Sequence, residues 1–99
     1  MEETGTQVDN EALAGLVEHG FALLQHGKVA DATQHCRKLV LGHPTDPQVM
    51  ALACEVRLAN GDLTGAVEAA DIALAGLPGS AALMLKKAHV LVLLRQRTE

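Results

Sequence analysis

The sequence predicts an all-α fold, a solenoid of antiparallel helix pairs made from five helices. Three observations carry this expectation. Ala, Leu and Val supply almost all of an apolar content of 48%, with one aromatic residue, Phe21, in the whole chain, and Ala and Leu are strong helix formers. Glycine and proline interrupt the chain at Gly27, Gly42-His43-Pro44, Gly61 and Pro78-Gly79, leaving stretches of helical length between turns. Small and turn residues also recur at a spacing of 34, at Gly20, Cys54 and Ala88, at Ala32 and Ala66, and at Pro44 and Pro78. A fixed period in this range marks stacked repeats rather than a generic bundle.

Residues 1 to 8 read as a disordered leader, followed by one repeat domain over residues 9–99. Asp9 or Asn10 can cap a first helix, with Glu11 placed favourably in its first turn. Leu13, Leu16, Val17, Gly20, Phe21, Leu23 and Leu24 then fall at spacings of three and four, the pattern of an amphipathic helix. It should end near His26, where Gly27 can adopt the left-handed conformation that closes a helix. A second helix is expected from Lys28 to Leu41, with Val29, Ala32, Cys36, Leu39 and Val40 as its apolar stripe. Pro44 stops it, because proline cannot continue a helix. Asp46 followed by Pro47 is an N-cap with proline at the first helical position, so a third helix should run from Pro47 to Ala59. Gly61 ends it and Asp62 caps a fourth, from Leu63 to Gly76. Pro78-Gly79 breaks the chain again, and Ser80 caps a fifth helix expected from Ala81 to Leu94. Turns this short require antiparallel neighbours.

The periodic positions resemble the tetratricopeptide repeat, whose pattern is W-x2-L-G-x2-Y, then A-x3-F, then P over about 34 residues. The first copy reads Leu16-x2-His19-Gly20-x2-Leu23, Ala32-x3-Cys36 and Pro44. The second reads Met50-x2-Ala53-Cys54-x2-Arg57, Ala66-x3-Ala70 and Pro78. The third begins as Met84-x2-Lys87-Ala88-x2-Leu91. The resemblance covers Leu13 to Glu99 as repeats at about 13–46, 47–80 and a truncated 81–99. The small residues allow close helix approach, while Leu16, Met50 and Met84 are expected as knobs between repeats. The family's aromatics are replaced by Leu, Met, Cys or Ala, so the core should be thin and the stability modest.

The resemblance implies that the first helix of each repeat lines a concave groove that holds a protein or peptide. By register this groove takes Val17, Phe21 and Leu24 from the first repeat. It takes Gln48, Ala51, Glu55 and Leu58 from the second, and Leu85, His89, Val92 and Leu93 from the third. Val17, Leu85 and Leu93 are equally well read as core. Many family members grip a peptide's terminal carboxylate with Lys, Arg and Asn. Here Val17 and Phe21 stand at two of those positions, so a carboxylate clamp is not expected. The groove reads as mostly apolar, suited to an amphipathic helix or an extended hydrophobic segment.

The fifth helix is apolar on nearly every side, from Leu83 to Leu94, and such a helix expects cover all round. The register puts a turn and the start of a sixth helix at Leu94 to Glu99. That implies further repeats in a longer parent, or a homodimer through this helix, the first being favoured.

Other chemistries find little support. The net charge is −4 with no basic block, which argues against nucleic acid. The apolar stretch Ala81 to Leu94 is too short to cross a bilayer and contains Lys86 and Lys87. The acidic start has no signal-peptide pattern, and Cys36 and Cys54 form no CxxC pair, so a reduced cytoplasmic setting is expected. They read as small buried thiols. His19, His26, His35 and His43 show no zinc-ligand spacing, and no metal or cofactor is expected. No nucleophile elbow, P-loop or dinucleotide fingerprint is present, so no enzyme activity is expected within these residues. The leading expectation is a protein-interaction module. One alternative is the N-terminal helper domain of a larger bacterial enzyme, because the alanine-rich repeats look similar to those preceding sulfotransferase or glycosyltransferase domains. Another is a small dimerising adaptor or secretion-type chaperone.

Overall fold

The computed structural model describes the backbone of residues 2–98 and the side chains of residues 11–97. It contains α1 (Glu2–Gln25), α2 (Val29–Gly42), α3 (Pro47–Ala59), α4 (Leu63–Gly76) and α5 (Ala81–Thr98), and no strand among the described residues. The helix does not start after Asp9 or Asn10 as expected: α1 begins at Glu2 and its backbone runs through the expected leader and through both cap candidates, while the side chains of residues 1–10 lie outside the described ones.

The turns follow the local chemistry closely. Gly27 and Gly61 have φ of 76° and 79°, a region that costs a residue with a Cβ but not glycine. Around each, the same two hydrogen bonds form. The Gly27 N–H donates to Leu24 O and the Lys28 N–H to Leu23 O, at 3.0 and 2.8 Å. The Gly61 N–H donates to Leu58 O and the Asp62 N–H to Arg57 O, again at 3.0 and 2.8 Å. This is the Schellman closure, which satisfies carbonyls the helix end would leave orphaned. The other turns also match at the same spacing: the His43 N–H donates to Leu39 O at 2.8 Å, and the Leu77 N–H to Ala73 O at 2.9 Å.

The caps are side-chain caps where the sequence supplies an acceptor. Asp46 Oδ1 accepts from the Gln48 and Val49 N–H groups at 2.9 and 3.1 Å, and Pro47 opens α3. Asp62 Oδ1 accepts from the Gly65 N–H at 3.0 Å, and Ser80 Oγ from the Leu83 N–H at 3.2 Å. Lys28, in the place of Asp62 one period earlier, has similar non-helical backbone angles, so it is the cap residue rather than the first helical residue and α2 begins at Val29, but its side chain supplies no cap hydrogen bond.

Each helix packs on the next, and α1 also reaches α3. The centre is α3, which buries Val49, Met50, Leu52, Ala53, Cys54 and Val56. The fully buried residues of α4 are all alanine, Ala66, Ala69, Ala70 and Ala73, with Leu63, Val67 and Leu74 partly buried beside them. Such a seam lets backbones approach closely, but it removes little apolar area per residue from water. Gly20 is the tightest approach on the other side. A Cβ there would lie 2.5 Å from Leu52 Cδ2 and 3.3 Å from His35 Cδ2.

Three further expectations need correction. The expected turn after Leu94 does not form, and α5 continues to Thr98. Arg95 stands where Gly27 and Gly61 close the earlier helices, and it supplies no left-handed residue to start a reversal. Arg97 Nη1 donates to Gly61 O at 2.9 Å, so the extra turn of helix is held against the α3–α4 corner. Of the expected knobs, Met50 is buried, but Leu16 and Met84 are about half exposed. The same holds for the small position Ala88, which is exposed while Gly20 and Cys54 are buried.

Candidate protein-binding faces

The groove residues expected from the resemblance divide by burial. Val17 retains 4% of its surface and packs in the core with Leu13 and Leu52, so it presents nothing to a partner. Phe21, Leu24, Ala51 and Leu58 are partly buried against the same cluster. Glu55 is half-buried, and its carboxylate accepts from Lys86 Nζ at 2.9 Å. That ion pair joins α3 to α5, so Glu55 has a structural partner. Gln48 and His89 are exposed. Leu85 is 72% exposed and Val92 54%, so Leu85 is surface rather than core. Leu93 is half-buried and lines an open hollow of about 400 Å³ with Leu58, Gly61, Leu63, Gln96 and Arg97. Leu58 and Leu93 are thus brought together at the carboxyl ends of α3 and α5.

The face of α5 turned away from α4 is apolar. Leu83 and Val90 are buried, Lys86 is tied to Glu55, and Lys87 Nζ reaches Asp71 Oδ1 of α4 at 2.6 Å. Met84, Leu85, Leu91 and Val92 remain exposed on the other side, with Ala88 between them. Residues at i, i+1, i+4, i+7 and i+8 form one stripe along a helix. A contiguous apolar patch of this kind marks a protein-interaction surface more often than bare surface.

A second hollow was not anticipated from the sequence. It has about 550 Å³ and lies between α2, α3 and the start of α4, lined by Thr33, Cys36, Arg37, Val40, Leu41, Ala53, Val56, Arg57, Asn60 and Asp62. None of the expected groove residues touches it. Its polar rim is partly fixed: Asn60 Nδ2 donates to Thr33 Oγ1 and to Val56 O, both at 2.9 Å, and Arg57 Nη1 donates to Gly65 O at 2.9 Å. Leu41, on its lip, is 85% exposed.

Cys36 and Cys54 are buried free thiols. Burial pushes both above the ordinary thiol value, with Arg57 opposing the rise at Cys36. Glu55 adds to it at Cys54, while Lys86 and Arg57 oppose it. A neutral buried thiol is a poor nucleophile and a poor metal ligand. His19 and His35 meet edge to face across α1 and α2, with ring centroids 5.1 Å apart. His35 Nε2 lies 2.6 Å from Leu16 O; because a carbonyl only accepts, Nε2 carries the hydrogen. No group of three or more potential metal ligands comes together among the described residues, and no helix is long and apolar enough to cross a membrane.

Fold and surface together define a class: an all-helical protein of serially packed helices in which, among the described residues, an apolar face of α5 is left uncovered. Comparisons with protein-family models, with curated proteins and with solved structures returned no match.

Proposed function

We propose that this chain is a protein-interaction module, a short tetratricopeptide-like solenoid that holds a peptide or protein segment on the face formed by α1, α3 and α5. The observation that supports this most is the uncovered stripe of Met84, Leu85, Ala88, Leu91 and Val92 on α5. Fully burying one Leu side chain is worth roughly 1.5–3 kcal/mol, so covering Leu85, Leu91 and their apolar neighbours contributes favourably to binding a partner. The turn hydrogen bonds that recur at a spacing of 34 support the repeat reading. The surface can be tested by replacing Leu85 and Val92 with Asp. Both side chains are more than half exposed, so the helix should be retained by circular dichroism. A stoichiometric polypeptide that co-purifies with the native chain should be lost from this variant and kept by Glu18→Lys on α1. Equal recovery on both variants would contradict the reading.

A second reading has its own observation. Around Ala88, the stripe is symmetric: Leu85 and Leu91 lie three residues either side, and Met84 and Val92 four. A helix face that reads alike from its centre is self-complementary, as a two-fold interface requires. On this reading the module is a dimerising adaptor, and sedimentation velocity over a concentration series would show a dimer that Leu85→Asp disperses. The helper-domain reading rests on the likeness of the repeats alone.

A further inference from the structure

The two inter-repeat seams of this chain are not alike, and the larger hollow lies at one of them. Where α4 meets α5, Asp71 and Lys87 form an ion pair at 2.6 Å that crosses the seam. One period earlier, where α2 meets α3, the same two places hold Arg37 and Ala53. Ala53 has no side chain to cross the seam. Arg37 is exposed and makes no hydrogen bond or ion pair within the described residues. The Lys87–Asp71 pair thus has no counterpart in the α2–α3 seam, where a hollow of about 550 Å³ lies above Cys36, Val40, Ala53 and Val56.

The charge in this hollow is lopsided. Arg37 and Arg57 both line it. Arg57 spends one Nη1 hydrogen bond on the backbone carbonyl of Gly65, and no carboxylate pairs with either guanidinium among the described residues. The one acid on the rim, Asp62, is engaged in capping α4 through Oδ1. A guanidinium beside an apolar floor favours a ligand that brings a carboxylate together with an apolar group, because charge-assisted bonds to Arg are strong and directional. The size and the mix of lining groups suit a binding pocket of ordinary dimensions.

We propose that the α2–α3 hollow is a second docking site, for a polypeptide segment that places a large apolar side chain on the Cys36, Val40 and Val56 floor and an adjacent Asp or Glu against Arg37. The partner's carboxylate supplies the acidic half of a pair whose basic half is Arg37, the residue in the place of Asp71. This site is separate from the α5 face and does not depend on it.

The test reverses the charge on the rim. The variant Arg37→Asp changes an exposed side chain and should keep the fold, which an unchanged thermal midpoint would verify. A heptapeptide phage library selected on the natural chain and counter-selected on this variant should yield peptides with Leu, Ile, Met or Phe within two positions of Asp or Glu. Synthetic copies should shift the amide resonances of Thr33, Cys36, Val40 and Val56. Affinity should fall about tenfold on Arg37→Gln, or when the acid is replaced by its amide, as expected for the loss of one charge-assisted bond. Leu85→Asp should leave it unchanged. If no peptide is enriched over the counter-selection, if the amide peptide binds as well as the acid, or if the shifts map to α5, the proposal is wrong. The last result would leave the α5 face standing as the binding surface.

Discussion

Gly20 shows how much one absent methyl group decides. Its helix lies against Leu52, a fully buried side chain of α3, and a Cβ at Gly20 would meet that side chain at 2.5 Å. Leu52 sits in a filled core and has little freedom to give way. Gly20→Ala should therefore cost about 1–3 kcal/mol, the usual cost of overpacking. Gly15, five residues earlier in the same helix, would place its Cβ in open space, and Gly15→Ala should stabilise by roughly 0.5–1 kcal/mol. Chemical denaturation of the two variants checks both signs at once. The buried thiols predict a pH dependence. Their folded-state pKa values lie above the ordinary thiol value of 9.0, so the native state holds these protons more tightly than the unfolded state does. Their contribution is constant below about pH 8 and is lost as pH rises past the ordinary value. Replacing both with Ala should flatten the fall in stability between pH 8 and 10, measured as the difference from the natural chain.

At the scale of the element, helix ends were the most legible feature. Asp46-Pro47, Gly61-Asp62 and Pro78-Gly79-Ser80 each carry a local stop or start, and helices α3 and α4 begin and end where those residues require. The end of α5 was misread for a physical reason. The period placed a turn at Arg95, but no glycine or proline stands there to enforce one, and local chemistry prevailed over register. Lys28 shows the converse. It occupies a cap position with backbone angles close to those of Asp62 (φ −88° and −86°), yet it offers no acceptor, and its charge opposes the helix dipole. Lys28→Asp should add about 1 kcal/mol, seen as a higher thermal midpoint. The burial of site residues was less legible. Val17 and Leu85 both sit on first-helix positions. One is buried because α3 crosses over α1, and the other is bare because no helix crosses over α5. The α2–α3 hollow was missed because it lies at a seam where equivalent positions differ. The signal was there, in Arg37 and Ala53 set against Asp71 and Lys87, but aligning repeats for their similarities hides it.

At the scale of the molecule, the packing is serial, with each helix resting on its neighbours and α3 at the centre. The seams between these helices are unequal. The α3–α4 seam is closed by fully buried alanines, and the α4–α5 seam by the Lys87–Asp71 pair. The α2–α3 seam is left partly open. The outer face of α5 has no seam at all, and its apolar side chains carry the central claim. That claim is tested most directly by placing a photo-crosslinking amino acid at Leu85 and, as a control, at Glu68 on α4, then irradiating the cells that make the protein. A discrete polypeptide adduct is expected at position 85 and none at 68, its mass distinguishing a second copy from a different partner. No adduct at position 85, or the same diffuse pattern at both positions, would contradict it.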